Sequence, residues 1–202
     1  QDSAFYGCSV LKKLEIPDSV TSMGKGTMEA CIALTDVKLP STLNTLPTST
    51  FYGCTALETV SFPEAVNTIG SEAFYQCTAL KDIDLSQIAT IETYAFEGCS
   101  ALTDITIPET CTTLGDFVFD GCSALKEIQV ADSNLNYQDI DGVLFSKDGS
   151  TLIKYPDDSD LSFRMAAPVW RTGALPGQSP SRALTSRTSK NWAKMYFSTA
   201  SP

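Results

Sequence analysis

The sequence predicts an α/β solenoid, in which similar coils stack and each coil adds one short strand to a parallel sheet. Three observations support this prediction: cysteines recur at a nearly constant step, apolar residues recur in phase with them, and proline follows a short apolar alternation. The recurring cysteines are Cys8, Cys31, Cys54, Cys77, Cys99 and Cys122, separated by 23, 23, 23, 22 and 23 residues. Such a step is typical of repeat proteins, in which each unit packs only on its neighbours.

The repeat unit has the template A-F-x-G-C-x-x-L-x-x-I-x-I-P-x-x-V-x-x-I-G. A unit of about 23 residues cannot bury seven apolar positions alone, but stacked copies turn each position into a continuous column through a core. The column before the cysteines, for example, consists of Phe5, Met28, Phe51, Phe74, Phe96 and Phe119. The core is therefore predicted to form between units.

Local patterns predict the path of one coil. The segment L-x-x-I-x-I alternates with a period of two, which predicts a strand with one face inward. Proline then ends the strand at Pro17, Pro40, Pro63 and Pro108, because it has no N–H for pairing. We expect turns at Gly24, Gly70 and Gly115, and a compact helical or 3₁₀ turn at A-F-x-G-C. Neighbouring strands should lie about 4.8 Å apart.

The repeats resemble the BspA-like subclass of leucine-rich repeats, whose members carry I-P-x-x-V-T-S-I-G-x-x-A-F-x-G-C-x-x-L-x-x-I. The resemblance covers about residues 3–138 in six units and departs from the pattern at Met28, Ala30, Ser86 and Cys111. It implies a leucine-rich-repeat solenoid and a non-catalytic protein of the cell surface, or a secreted one. It further implies a role in recognition or adhesion, with host matrix proteins such as fibronectin or fibrinogen as partners.

We divide the chain into residues 1–138 (six repeats, the first incomplete), 139–160 (a β-hairpin) and 161–202 (a basic tail). In the second segment, two apolar runs flank Asp148-Gly149, which predicts a hairpin with a two-residue type I′ turn. We expect this hairpin to cover the last coil. A calcium site at Asp139, Asp141 and Asp148 is a weaker alternative, because the spacing lacks the pattern of a known calcium loop.

The tail differs from the rest of the chain in charge. Residues 1–160 hold eight Lys and all 24 acidic residues, a net charge of −16, whereas residues 161–202 hold six basic residues and no acidic one. Two interpretations stay open: a disordered basic segment, or repeat sequence translated in a shifted frame. Codons TCA TTC CGG ATG GCC would encode residues 162–166, for instance, and the shifted frame then encodes Ile-Pro-Asp-Gly.

The composition excludes several classes of function. The chain has no histidine, which removes the usual general base, the Ser-His-Asp arrangement and the commonest metal ligand. The acidic repeats argue against nucleic-acid binding, which needs a basic surface. No apolar run approaches the ~18 residues of a membrane helix. We therefore predict a chain that is not an enzyme and that needs no cofactor.

The cysteine column itself allows three interpretations. Equivalent positions of stacked units direct their side chains the same way, which is poor geometry for disulfides. The absence of any C-x-x-C pair argues against zinc. We therefore predict buried free thiols that pack as small apolar side chains, and Cys111 in the valine column fits the same interpretation.

The outward positions of the predicted strands form two rows, which we call the strand face. One row is Lys13, Asp36, Thr59, Asp82, Asp104 and Glu127, and the other is Glu15, Lys38, Ser61, Asp84, Thr106 and Gln129. Acidic residues gather toward the last coils, which favours a basic protein partner. The candidate ligand-binding residues are Asp82, Asp84, Asp104, Glu127, Thr106 and Gln129.

Two alternatives to a recognition surface remain. These residues could be ordinary solvated strand positions, on a structural spacer that displays another domain missing from this fragment. A carbohydrate-binding module is less favoured, because neither row contains an aromatic residue that could stack on a sugar.

Overall fold

The computed structural model describes residues 1–156, so the predicted basic tail at 161–202 and the last four residues of the predicted hairpin segment lie outside the described residues. The described chain winds into stacked coils that carry short strands. These strands are β1 (Lys13–Glu15), β2 (Asp36–Lys38), β3 (Thr45–Leu46), β4 (Thr68–Ile69), β5 (Thr90–Ile91), β6 (Asp104–Ile107), β7 (Thr113–Leu114), β8 (Glu127–Val130), β9 (Tyr137–Ile140), β10 (Val143–Ser146) and β11 (Leu152–Lys154).

The strands predicted from L-x-x-I-x-I form at both ends of the stack. β1 pairs with β2, and β6 pairs with β8, both in parallel and with equivalent residues of successive repeats in register. In β6 the side chains alternate between exposed and buried, so that Ile105 and Ile107 enter the core. The period-two pattern therefore identified these strands and their inward faces correctly.

The corresponding segments of the two middle coils, 59–62 and 82–85, form no strand. Their inward residues are nevertheless buried, as at Val60, Ile83 and Leu85. In the second of these segments the Asp84 carboxylate accepts a hydrogen bond from the Ser86 amide. Such a local bond competes with pairing between strands. The prediction of one strand in every coil at this position is therefore wrong for these coils.

A second set of strands, which the sequence analysis missed, runs in parallel through four successive coils in the order β3-β4-β5-β7. Each of these strands is two residues long and directly precedes the glycine position of the V-x-x-I-G segment. That position holds Pro47 after β3, Glu92 after β5, Gly115 after β7 and Gly70 after β4. That glycine is required by close approach of the previous coil: a Cβ on Gly70 would lie 2.7 Å from the Leu46 carbonyl oxygen. The predicted turn begins directly after it.

The A-F-x-G-C segment forms a turn, and residues 1–156 contain no helix. The α/β label is therefore not supported by the structure, which contains strands and turns. The physical reason is that each repeat has left-handed residues two positions before and two positions after its Phe column. For the coil of Phe51 these are Ser49 (φ 56°) and Gly53 (φ 69°). Left-handed residues at both ends prevent a right-handed helix from extending.

Hydrogen bonds join the A-F-x-G-C turns of successive coils. The amides of Ser49, Phe51 and Gly53 donate to carbonyl oxygens of the next coil, at 2.8, 2.8 and 2.7 Å. Inside this layer the Phe rings stack along their column. The ring centroids are 5.3 Å apart between Phe51 and Phe74, 5.2 Å between Phe74 and Phe96, and 5.8 Å between Phe96 and Phe119. The core is therefore continuous between coils, as the repeat predicted.

Strands β9, β10 and β11 form an antiparallel sheet against the last coil. The Ile128 amide of β8 donates to the Gly142 carbonyl at 2.8 Å, and the Val130 amide donates to the Asp139 carboxylate at 2.9 Å. The Leu114 amide of β7 donates to the Tyr137 hydroxyl at 2.9 Å. The last strand of each of these two parallel sets, β8 and β7, thus finds partners, and Leu144 joins the core. Unpaired strand edges are otherwise prone to association.

The type I′ turn lies one hairpin earlier than predicted. It is Asp141-Gly142, between β9 and β10, where both residues have positive φ (52° and 76°). At Asp148-Gly149, between β10 and β11, only Gly149 has positive φ. There the Asp148 carboxylate closes a longer loop by accepting bonds from Ser146 and Ser150. A two-residue turn at that position is therefore wrong.

We predict that Ala30→Gly stabilises the protein. Ala30 has φ 59° at the position where most repeats carry glycine, and it is only partly buried. Removing the left-handed strain should outweigh the added freedom of the unfolded chain, raising the free energy of unfolding by about 0.5 kcal/mol. Urea unfolding measures this.

The matched control is Ala73→Gly, at a buried alanine without positive φ. This change should lower the free energy of unfolding by about 1 kcal/mol, because it gives the unfolded chain more backbone freedom and removes a buried methyl group without relieving strain. Destabilisation by both changes would contradict the strain argument.

Candidate functional site

The structure brings four of the candidate strand-face residues together. In the β6–β8 pair, Asp104 lies opposite Glu127 and Thr106 lies opposite Gln129. Asp104, Thr106 and Gln129 are exposed, and Glu127 is partly exposed. Opposite positions of adjacent strands have Cβ atoms about 5 Å apart, so these side chains form one compact surface.

The other two candidates, Asp82 and Asp84, are exposed in the preceding repeat but belong to no strand. Asp82 occupies the same repeat position as Asp104, and Asp84 the same position as Thr106. The Ser86 amide donates to the Asp84 carboxylate at 2.9 Å, and this bond lowers the pKa of Asp84. The structure therefore places these carboxylates in consecutive coils without pairing them in one sheet.

Charges on the strand face are paired at one end and unpaired at the other. At the first coils, Lys13 bonds Asp36 at 3.0 Å and Lys38 bonds Glu15. None of the ion pairs found among residues 1–156 involves Asp82, Asp84, Asp104 or Glu127. Their hydrogen bonds come from neutral groups nearby in the sequence. The Thr103 hydroxyl donates to the Asp104 carboxylate and the Gln129 side-chain amide donates to the Glu127 carboxylate, both at 2.8 Å.

This geometry suits docking rather than proton transfer. A carboxylic acid acting as a general acid needs burial or a close like charge to raise its pKa. The strand-face carboxylates lie on an open surface, and the pKa of Asp84 is lowered instead. An acidic surface of this kind can attract and orient basic groups of a partner.

The cysteine column has a role that the sequence analysis missed. Each buried thiol of this column donates a hydrogen bond to the main-chain carbonyl oxygen of the Phe-column residue in the previous coil. The five bonds, from Cys31, Cys54, Cys77, Cys99 and Cys122, measure 3.1 to 3.2 Å. Each such carbonyl also accepts the amide of the cysteine in its own coil, as Phe51 does from Cys54 at 3.0 Å. The thiols therefore act as donors between coils as well as apolar side chains.

All seven cysteines are free thiols, and six are buried as predicted. Cys8 is the exception, because no coil of this sequence covers it. Burial raises the pKa of Cys54 to about 12 and that of Cys111 to about 11. Such thiols stay protonated and unreactive at neutral pH. Within residues 1–156, no group of His, Cys, Asp and Glu side chains is arranged to hold a metal ion.

The residues of the alternative calcium site have other contacts. Asp139 binds the Val130 amide, and Asp148 closes its own loop. The bonds from Ser146 and Ser150 lower the pKa of Asp148 to about 2. The Asp139 carboxylate therefore joins the hairpin sheet to β8, and the Asp148 carboxylate stabilises the loop between β10 and β11.

A second surface, which the sequence analysis did not identify, lies on the A-F-x-G-C turns. We call it the turn face and define it by Tyr52, Tyr75, Tyr94, Phe117, Glu72 and Glu97. Tyr52 stacks on Tyr75 with ring centroids 4.6 Å apart, and Tyr94 stacks on Phe117 at 5.4 Å. Phe117 is 52% exposed. The sequence did contain a signal for this surface. Aromatic residues recur in adjacent units one position after the Phe column, at Tyr52 and Tyr75, and two positions before it, at Tyr94 and Phe117.

Stacked parallel coils joined at equivalent positions, with a leucine column in the core, define the leucine-rich-repeat class. The sequence matches the family described as BspA type leucine rich repeat region, in six copies over residues 1–102 and 83–159. The chain therefore belongs to the BspA-type leucine-rich repeat family.

Solved structures support this assignment. A leucine-rich cell surface protein from Faecalibacterium prausnitzii is 30% identical with a TM-score of 0.59, over 72% of this chain and 46% of its own. The pneumococcal vaccine antigen PcpA is 26% identical with a TM-score of 0.61, over 74% and 38%. A leucine-rich repeat protein from Bacteroides ovatus is 26% identical with a TM-score of 0.52, over 66% and 41%. This chain thus spans less than half the length of each.

No relative was found among proteins of curated function. Within residues 1–156, no helical segment has the length and apolarity needed to cross a membrane.

The thiol geometry predicts how the native protein reacts with a disulfide reagent such as DTNB. In the native chain at pH 8, Cys8 should react rapidly, while the six buried thiols should react only after unfolding. The absorbance of the released product counts them. Cys8→Ser should remove the rapid phase and leave six thiols after denaturation. Fewer thiols in the denatured, unreduced chain would show disulfides instead.

The raised thiol pKa values predict lower stability at alkaline pH. The unfolded chain should ionise Cys54 near its ordinary pKa of about 8.5, whereas the folded chain keeps it protonated up to about pH 12. The contribution is therefore complete below about pH 8 and falls as the pH rises further. Between pH 8 and pH 10 the loss at Cys54 should be about 2 kcal/mol.

Urea unfolding of the original chain and of Cys54→Ala at both pH values isolates this contribution, because all other groups titrate in both proteins. The variant should be less stable at pH 8 but lose less stability on going to pH 10. Equal losses in the two proteins would contradict a protonated Cys54 in the folded state.

Proposed function

We propose that this chain is a non-catalytic recognition module of a surface-exposed or secreted bacterial protein, and that it binds protein partners through the acidic end of its strand face. The observation that carries the proposal is the set of carboxylates Asp82, Asp84, Asp104 and Glu127 in consecutive coils without ion-pair partners among residues 1–156. The fold supports it, because solenoids present extended regular surfaces to proteins.

Electrostatics gives this surface a preference for basic partners. Like charges about 4 Å apart in water repel by about 1 kcal/mol, so bringing lysine or arginine residues to the surface relieves repulsion as well as adding attraction. The first coils, where Lys13 and Lys38 are already paired, lack this preference. We therefore place the contact at the last coils, with Thr106 and Gln129 supplying neutral hydrogen bonds.

The family supports the proposed location and the proposed class of partner. One similar solved protein is described as a cell surface protein and another as a vaccine antigen, which supports a surface or extracellular location. Matrix proteins of a host, such as fibronectin and fibrinogen, are the partners that we propose to test first. The absence of histidine and the open setting of the carboxylates support a non-catalytic role.

The test is biolayer interferometry of the full chain against immobilised fibronectin and fibrinogen. The test variant carries Asp82→Asn, Asp84→Asn, Asp104→Asn and Glu127→Gln. We expect saturable binding by the original chain, weakened at least tenfold in the variant and weakened further by salt, because screened surface charges lose their long-range attraction.

A matched control removes the same number of charges elsewhere, with Glu64→Gln, Glu109→Gln, Asp116→Asn and Asp132→Asn, all at exposed positions outside the strand face. This control should bind like the original chain. Equal weakening of both variants would indicate a general charge effect. Absence of binding by the folded chain would favour the structural spacer.

A further inference from the structure

We propose that the turn face is a second recognition surface, independent of the strand face, and that it binds an arginine-bearing segment of a partner protein. The proposal rests on the placement of aromatic residues and carboxylates in adjacent columns of the same turns, where Phe117 is exposed and the others are partly exposed. The aromatic residues are two stacked pairs, Tyr52–Tyr75 and Tyr94–Phe117.

The backbone shows that the second pair occupies positions whose conformation bulky side chains disfavour. Tyr94 and Phe117 both adopt left-handed backbone conformations, with φ values of 62° and 57°. Earlier repeats place Ser3, Gly26, Ser49 and Glu72 at the same position, also with positive φ. Bulky side chains are disfavoured in this conformation, and Phe117 leaves 52% of its surface exposed. Strain and exposure without core burial are typical of residues kept for function.

The columns place acidic residues next to the aromatic ones. Glu97 follows Tyr75 in one column, and Glu72 precedes Tyr94 in the other. These groups are close enough to influence one another: burial raises the pKa of Glu97, and so do the charges of Asp120 and Glu72. Lys154 lies 3.1 Å from Asp120, but none of the ion pairs among residues 1–156 includes Glu72 or Glu97.

This combination favours a cation. The face of an aromatic ring is electrostatically negative, and here it adjoins a negative carboxylate position, so the site combines two features that attract positive charge. Within each stacked pair the inner ring faces cover one another, with interplanar angles of 11° and 9°. Only the outer faces of each pair can accept a ligand group, and the next coil on one side of each pair carries Glu97 or Glu72 at the same column position. The Glu72 carboxylate also accepts a hydrogen bond from the Ser49 hydroxyl at 3.1 Å.

Arginine fits this geometry better than lysine or a sugar. Its flat guanidinium can stack on an outer ring face while its N–H groups donate to the neighbouring carboxylate. Lysine offers a point charge without the flat surface. A neutral sugar gains nothing from the carboxylates' charge. The partner we infer is therefore a protein segment with arginine side chains.

The probe is a synthetic peptide with three arginines separated by glycines, with lysine and citrulline analogues, titrated into the full chain by isothermal calorimetry. The arginine peptide should bind, the lysine peptide should bind more weakly, and the uncharged citrulline peptide should not bind. Equal binding of arginine and citrulline peptides, or no binding of any peptide, would overturn the proposal.

The test variant is Tyr94→Ser with Phe117→Ser, because serine is the residue that other repeats carry at this left-handed position. It should weaken arginine-peptide binding about tenfold. A second variant, Glu72→Gln with Glu97→Gln, keeps all four rings and should also weaken binding. If the serine variant fails to fold, the second variant still tests the proposal. Changes in the NMR shifts of the four aromatic residues on peptide addition then show whether the peptide contacts the turn face.

The strand-face variant described above is the comparison, because it removes any arginine-peptide binding that the strand-face carboxylates contribute. The turn-face site is the binding that remains in that variant and is lost when Tyr94→Ser and Phe117→Ser are added to it. Loss of peptide binding in that variant, with binding retained in both turn-face variants, would overturn the proposal and assign the peptide to the strand face. Failure of the matrix-protein test leaves this result unaffected, because the two surfaces are changed by different substitutions.

Discussion

The fold depends on hydrogen bonding between the A-F-x-G-C turns of successive coils. At the carbonyl of Phe51, two donors meet: the Cys54 amide of the same coil and the Cys77 thiol of the next one. The first bond closes the turn, and the second joins it to its neighbour. Because the thiol reaches this carbonyl only if the next coil is in register, the same contact fixes both the shape of a coil and its stacking.

This constraint explains why cysteine, rather than alanine or serine, suits the column. The position is fully buried at Cys54, Cys77 and Cys99, so the side chain must be compact and largely apolar. It also faces a carbonyl that can accept a second bond. A thiol satisfies both conditions, because it packs like a small apolar group and donates weakly. Burial then keeps it protonated, which preserves the donor.

The sequence predicted what repeats from coil to coil and failed where the repeat is interrupted. Period-two alternation and the 23-residue step identified the inward columns and the parallel stacking, and they correctly placed β6 and β8 under the candidate site. The second strand set was missed because its two-residue strands are too short for any period to appear. The turn at Asp141-Gly142 was missed because Asp148-Gly149 offered an identical dipeptide between longer apolar runs.

The two candidate surfaces differ in how far the repeat pattern predicts them. Outward strand positions follow directly from the inward ones, so Asp104, Glu127, Thr106 and Gln129 could be grouped from sequence. The turn face was missed although aromatic residues recur there in phase with the Phe column, because the left-handed backbone at Tyr94 and Phe117 has no sequence signal when the residue is not glycine.

A solenoid of this kind separates stability from recognition. Inward columns must match between coils, since each coil is buried only by its neighbours, whereas an outward residue can change in one coil without disturbing the next. The paired charges Lys13–Asp36 and the unpaired carboxylates of the last coils occupy the same row on the same backbone. Tyr94 and Ser49 likewise share one column and have similar φ values, 62° and 56°. The charge and shape of each surface are therefore set by substitutions at outward positions, which stacking does not constrain. Binding should change with these substitutions in individual coils while the core stays the same.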